Sequence, residues 1–464
     1  MKKMRGLRTQ RRIYGPLSVL HHPGSGGDDG GDHSRGAILL CRPQRRGYLA
    51  PTPGQSGYAI ACDIGTTTVV CQLLKPETGE LLSRVSGSNA QRVFGGDVLS
   101  RLKAAEEGRA AEIHDQIIQQ INFYIEELCR KEGLTTGDIK SLTAAGNTIM
   151  MHFFAGIDPS QISTAPFTPV SLFGETLRSR DLGLVFDGSV YICPAVSGFI
   201  GGDVPCGVLA SGMAASEGKM LLVDLGANTE IVMGGRDRML ACAVDGGAAF
   251  KASLLENGMT ASAGAIAGVK YVNGELQLEV LGGEKPKGIC GSGFIDILGI
   301  LFEQEILDEM GHIVDPEETD SDLARYIGTK DGRTVFYLTE NKRVFLSQAD
   351  ISKFQLAKAA ISAGIRILAQ ENGIPLSGLD KLLLGGGFGF FAHRRNSALP
   401  GIIPQECKGK TVKLGNAALA GAISAAWSED ARKELSRIQK LVQVIDLPTH
   451  PSFSDAYMDG MVFE

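Results

Sequence analysis

Hydrophobic and polar positions first fall into a readable order at Tyr58. From there to Leu74 the chain reads YAIACDIGTTTVVCQLL, two apolar, β-branched stretches on either side of a glycine–threonine turn, which predicts a β-hairpin. Isoleucines and leucines at helical spacing predict an amphipathic helix over 111–131. The run SLTAAGN (141–147) predicts a strand closing on a glycine turn, and VYICPAVSGFIGGD (190–203) repeats that form. A second hairpin is predicted for MLLVDLGANTEIVMGG (220–235). Beyond it come GICGSGFIDIL (288–298), a long helix through 355–373, a leucine strand running into glycines at 381–391, and KLGNAALAGAISAAW at 413–427. Strands and helices alternating in this way predict an α/β fold with a mainly parallel core.

The two hairpins match. Asp63-Ile-Gly65-Thr66-Thr67-Thr68 aligns over Asp224-Leu-Gly226-Ala-Asn228-Thr229 without a gap, and a repeat this long is a duplicated domain rather than a solenoid unit. Two similar α/β halves with a cleft between them is the simplest architecture. We expect one half over 57–210, the other over 211–440, and a tail, 441–464, packing back on them. Residues 1–56 differ from everything after them, with many arginines and the run GSGGDDGGDH, and read as a disordered basic extension.

Composition narrows the function classes. The 464 residues carry a formal net charge of -6, and because residues 1–50 are strongly basic the remainder is more acidic still, which argues against nucleic acid as a partner. No apolar run reaches the roughly 18 residues needed to span a bilayer. Nine cysteines without a C-x-x-C pair suggest neither a zinc knuckle nor a secreted disulfide framework, and they fit a reducing cytoplasm. The close cysteine spacing of a ferredoxin loop is missing, so no iron–sulfur site is visible in this chain. The 60 glycines are roughly twice the usual ~7% share, with no collagen period.

Chemistry gathers at the turns. A glycine–threonine turn offers backbone N–H groups and hydroxyls suited to phosphate oxygens, and Asp63 at the end of a buried strand can hold a hydrated Mg²⁺. An ordinary threonine-rich hairpin would give the same pattern, but Asp224, Gly226, Asn228, Thr229 and Glu230 repeat it from the other half. No P-loop signature occurs. Gly385, Gly386 and Gly387, following a leucine strand, would let the backbone approach a flat ligand closely.

The ordered set Asp63–Thr68, Phe94-Gly-Gly-Asp97-Val-Leu-Ser-Arg101, Ala145-Gly-Asn147-Thr148-Ile-Met150-Met-His152, Gly288-Ile-Cys-Gly-Ser-Gly293 and Gly415-Asn416-Ala-Ala-Leu-Ala-Gly421 resembles the acetate and sugar kinase/Hsp70/actin superfamily. Within it, the chain from about 58 to 464 resembles the ATPase region of reductive activators of corrinoid proteins. The resemblance implies duplicated actin-like, ribonuclease H-like lobes around an interlobe nucleotide cleft. It also implies an ATPase, with ATP and Mg²⁺ as cofactors, that helps return a Co(II) corrinoid methyl-transfer protein to Co(I). The electron would come from a separate iron–sulfur protein or domain, and the chain could form a homodimer. A small-molecule kinase of the same superfamily is the alternative activity, and an actin-like assembly protein a third.

On this reading Asp63 and Asp224 hold the metal, and Asp203 positions the attacking water or accepts its proton. Gly65, Thr66, Thr67, Thr68, Asn147, Gly226, Asn228, Thr229, Gly291, Ser292, Gly385, Gly386, Gly387 and Asn416 line the nucleotide. Asp203 could equally N-cap a helix starting at Val204. Asp97 and Arg101, four apart, are expected to pair across a helix face. His152 is expected to be a satisfied structural histidine, and Cys290 a small buried residue. Lys251 departs from the family pattern at a place where it could alter nucleotide or metal contact.

Overall fold

The computed structural model describes residues 51–52, 56–226, 228–246, 255–386, 401–407 and 409–463. Gly387, Lys251 and almost all of the basic extension lie outside the described residues.

The first half is built on six strands: β1 (Tyr58–Ile64), β2 (Thr68–Lys75), β3 (Glu80–Ser88), β4 (Ile139–Ala145), β5 (Thr176–Arg178) and β6 (Ser189–Ile192). Their order in the sheet is β3-β2-β1-β4-β6-β5. The first three strands run antiparallel, whereas β1, β4 and β6 are parallel. Helices α1 (Val98–Ala104), α2 (Ala110–Glu132), α3 (Thr148–Ala155) and α4 (Asp203–Ser211) connect or follow them. Strand β1 shows why the sheet is covered on both sides. Ile60, Cys62 and Ile64 point into one core with Ile113, Ile117, Ile121 and Ile125 of α2, while Ala59 and Ala61 point into another.

The second half repeats this plan. Strands β7 (Met220–Asp224), β8 (Asn228–Gly234) and β9 (Met239–Asp245) form its meander. An insertion follows, with strands β10 (Ala265–Val272), β11 (Glu275–Val280), β12 (Gly288–Ile289), β13 (Ile327–Lys330), β14 (Arg333–Tyr337) and β15 (Phe345–Ser347) in two small sheets. The main sheet resumes with β16 (Lys381–Gly385), β17 (Thr411–Gly415) and β18 (Val442–Val444). Its order, β17-β16-β7-β8-β9-β18, retraces β6-β4-β1-β2-β3, so the sequence repeat is a structural one and the fold is the duplicated α/β type expected.

Helices α5 (Gly291–Glu303), α6 (Gln348–Asn372), α7 (Ala417–Trp427), α8 (Glu429–Leu441) and α9 (Phe453–Asp459) complete the chain. Helix α6 begins seven residues before the stretch whose periodicity predicted it. Its first turn is polar, and Ser347 and Asp350 close a capping box there.

One pair of helices joins the halves. Every residue of α7 is buried, and α7 packs on α4 so closely that a Cβ on Gly421 would overlap the backbone of Cys206. The cluster around this pair takes Ala59, Ala61 and Tyr191 from the first sheet and Leu222, Val232 and Leu383 from the second. No helix among the described residues is long and apolar enough to cross a membrane.

The end of the chain is fastened to α6. The buried Lys358 amine donates to Gly460 O at 2.7 Å and to Val462 O, Gln355 Nε2 donates to Met461 O at 2.8 Å, and Phe463 stacks near Phe354. Replacing Lys358 with methionine leaves both carbonyls without their charged donor, at a cost of about 2–3 kcal/mol. The expected result is a lower melting temperature and faster proteolysis near residue 460; unchanged protease resistance would show that the apolar contacts alone hold the tail.

Candidate functional site

The first turn is held from behind by its carbonyls. Gly65 donates its N–H to Thr68 O at 3.0 Å, which closes the turn. Asn89 donates its side-chain Nδ2 to Gly65 O and its backbone N–H to Thr67 O, each at 2.8 Å, and Arg101 Nη2 donates to Thr66 O at 2.6 Å. All three turn carbonyls are therefore engaged, while the N–H groups of Thr66 and Thr67 have no partner among the described residues. Asn147 caps α3 by accepting from Met150 N–H, and its Nδ2 donates to Thr66 Oγ1 at 2.9 Å.

The second turn is not an exact copy. Val70 lies opposite Asp63, but Glu230 lies opposite Asp224, so this turn is one residue shorter than the ungapped alignment implies. Residues directly opposite on antiparallel strands project from the same face, which places Glu230 beside Asp224 where the first half has a valine. In the sequence Glu230 reads only as part of the repeated turn pattern; the shortened turn is what sets it opposite Asp224. Gly385 pairs with Asp224 in the sheet. Gly386 has φ +82°, and a Cβ there would overlap Leu225 O and the Asp224 carboxylate, so only glycine fits.

Two further residues close the site. Asn416 caps α7 by accepting from Leu419 N–H at 2.7 Å, and its Nδ2 donates to Asp63 Oδ2 at 2.6 Å, tying the second half to the first. Asp203 is the first residue of α4, whose cap is Gly202, so it does not N-cap a helix starting at Val204; its carboxylate accepts instead from the Val204 N–H at 3.0 Å. The Gly202 N–H donates to Gly146 O at 2.9 Å, linking this loop to the one carrying Asn147.

Four acids share one field. Burial pushes Asp63 up to about 6, against the opposing hydrogen bond from Asn416. Asp203 rises to about 7 through burial and then the charges of Asp224 and Asp63, and Asp224 to about 7 through burial and Asp63. Glu230 is raised well above the usual carboxylate range by burial, Asp203 and Asp224. Such a group holds together in its charged form only with a cation. No three of the described His, Cys, Asp and Glu side chains converge closely enough to enclose a metal by themselves. Mg²⁺ commonly takes one or two carboxylates and fills its remaining positions with water and phosphate.

The remaining predicted residues fall into two groups. Thr67 and Thr68 are exposed at the first turn, and Asn228 and Thr229 open β8 beside Gly226, with the Thr229 hydroxyl within 3.5 Å of Gly226 O. Gly291 opens α5, and Ser292 Oγ donates to Ala267 O at 2.7 Å, fastening the start of that helix to β10. His152 is buried and satisfied, its Nδ1–H donating to Thr148 O at 2.7 Å and its Nε2 accepting from Ser171 N–H at 3.3 Å, and burial lowers its pKa, so the ring is neutral. Cys290 is buried at the cap of α5. The surface pair expected of Asp97 and Arg101 does not form in that way. Asp97 caps α1 through Ser100, and Arg101 turns fully into the interior.

Two family models account for the chain. One, described as the RACo middle region, matches residues 58–216, and the other, the C-terminal ASKHA domain of RACo, matches 218–464. The chain belongs to the RACo family. The corrinoid activation enzyme RamQ of Eubacterium limosum is 31% identical over 88% of this chain and 70% of its own length. The [Co(II) methylated amine-specific corrinoid protein] reductase of Methanosarcina barkeri is 22% identical over 86% of this chain and 76% of its own. A solved RACo-type structure, the reductive activator for a corrinoid, iron–sulfur protein, superposes with a TM-score of 0.77 at 32% identity, covering 89% of this chain and 67% of that one.

Proposed function

We propose that this protein is an ATP-hydrolysing enzyme that assists reduction of the Co(II) corrinoid of a methyl-transfer protein to Co(I), with the electron supplied by a separate iron–sulfur protein or domain. The observation that carries the nucleotide chemistry is the meeting of Asp63, Asp203, Asp224 and Glu230 between two phosphate-type turns that come from opposite halves. The corrinoid partner follows from membership of the RACo family and from what its relatives act on.

Within the site, the turn at Gly65–Thr67 supplies N–H donors and the Thr66 and Thr67 hydroxyls for phosphate oxygens. Asp63 and Asp224 would hold Mg²⁺, which when bound neutralises charge on the phosphates. Asp203, at the head of α4, would orient the attacking water. Asn416 ties Asp63 to α7, and α7 packs on α4, which carries Asp203, so opening or closing of the halves would be felt at both acids. A nucleotide can change partner affinity only as far as it binds the open and closed states differently, and this arrangement provides such a difference.

The test is ATP hydrolysis by the purified chain with and without a Co(II) corrinoid protein and a low-potential reductant, with Co(I) followed by its visible absorption. The expected result is slow basal hydrolysis, stimulated by the corrinoid protein, and Co(I) formation that depends on ATP. Hydrolysis indifferent to the corrinoid protein, with no Co(I), would overturn the reading.

A further inference from the structure

Behind the first phosphate-type turn lies a cation that the proposed chemistry has not yet used. Arg101 is fully buried, although it was expected to pair with Asp97 across a helix face. Its guanidinium reaches two carbonyls at once, Nη2 donating to Thr66 O at 2.6 Å and Nε to Gly95 O at 3.0 Å. Nη1 lies 3.4 Å from Gln91 Oε1 and 3.1 Å from Met150 Sδ. Gln91 is in turn joined to Asn89, whose Nδ2 donates to Gln91 Oε1 at 3.1 Å and whose Oδ1 accepts from Gln91 N–H at 2.9 Å. Asn89 is the residue that holds Gly65 O and Thr67 O. One network therefore grips every carbonyl of the turn from the protein side.

The charge itself requires a reason. Burial draws the guanidinium pKa down to about 10, partly restored by Asp97, so it remains a cation at neutral pH. Keeping a cation in the interior carries a desolvation penalty that a methionine of similar length would not incur. Holding Thr66 O needs only a neutral amide. What a neutral group cannot supply is a fixed positive field beside a turn whose free N–H groups already favour an anion.

We propose that Arg101 is a positioning residue for the phosphates of the nucleotide, fixing the Gly65–Thr67 turn through its carbonyls and lending positive potential to the unpartnered N–H groups of Thr66 and Thr67. This rests on the Mg-ATP reading of the site and names the residue that organises one wall of it.

The experiment is calorimetric titration of the full chain with adenosine, ADP and a non-hydrolysable ATP analogue in Mg²⁺, for wild type, Arg101→Met and Arg101→Lys. In the methionine variant, affinity for the ATP analogue is expected to fall by about 10–100-fold while adenosine binding stays within about twofold, because only phosphates sense the turn. Lysine keeps the charge but cannot bridge Thr66 and Gly95 together, so its loss is expected to be intermediate. A merely structural role would weaken adenosine and ATP analogue alike, and that result overturns the proposal. Should the methionine variant fail to fold, the lysine variant carries the same comparison. A wild type that binds no Mg-nucleotide overturns the ATP reading itself, whereas a wild type that binds, with variants unchanged, overturns the role of Arg101 alone.

Discussion

Replacing Asp224 with asparagine is expected to abolish measurable ATP turnover, by about 10²-fold or more, and yet to raise the melting temperature of the nucleotide-free protein. The two effects have one origin. Asp224 sits among Asp63, Asp203 and Glu230, and its pKa of about 7, caused by burial and then by Asp63, says that its charged form is disfavoured in the folded chain. A rise of about three units corresponds to at most about 4 kcal/mol, and contact with water in an open cleft reduces this to about 1–2 kcal/mol. The carboxamide removes that repulsion and with it the proposed ligand for Mg²⁺. Asp63→Asn should behave in the same direction with a smaller gain, since Asp63 is partly relieved by the Asn416 hydrogen bond. Steady-state hydrolysis and thermal denaturation in the same buffer check both halves of the prediction. A variant that keeps its turnover, or that loses stability, would mean that Asp224 is structural.

Without nucleotide, the protein should lose stability as pH rises from about 4 to about 7. The sign follows from linkage. Asp63, Asp203 and Asp224 bind protons more tightly in the folded chain than at their ordinary value of 3.8, with folded values of about 6, 7 and 7, so across that window the folded state holds more protons than the unfolded one. Stability from these groups is complete below about pH 4 and is lost as each ionises. Because the three interact, the loss is shared and on the order of a few kcal/mol in total rather than the sum of separate shifts. A Mg-nucleotide complex should restore it, so the rise in melting temperature on adding the complex is expected to grow between pH 5 and 8. Melting curves over that range, with and without the complex, give the answer. A nucleotide effect that is flat with pH would separate the acids from the nucleotide site.

Much of the site was legible in the chain. The turns at Gly65 and Gly226 were visible because hairpins need glycine where the backbone folds tightly, and the acids before them stood at strand ends that the apolar runs had already defined. Asn147 and Asn416 were picked out from motif order, and each proves to be a helix cap with a side-chain N–H left over for the site. Glu230 was read as part of the repeated turn but not as a neighbour of Asp224, because one residue fewer in the turn changes which strand positions face each other, and an ungapped comparison cannot register that. Arg101 was misread for a related reason. A spacing of four residues gives the face of a helix, but whether that face meets water or another turn depends on Thr66, thirty-five residues away in the chain.

By itself, then, the sequence determined the elements, their duplication, and the residue types suited to phosphate and metal, because all of these follow from local periodicity and from short-range backbone geometry. The tertiary structure decided which of those residues share a field. Ser292 is bonded to Ala267 of β10, while Asp63, Asp203, Asp224 and Glu230 come within one another's field and Asn416 of α7 bonds Asp63. Coulomb energy depends on distance and burial rather than on order along the chain, so four acids from 63 to 230 become one site only once two sheets have closed around a single pair of helices.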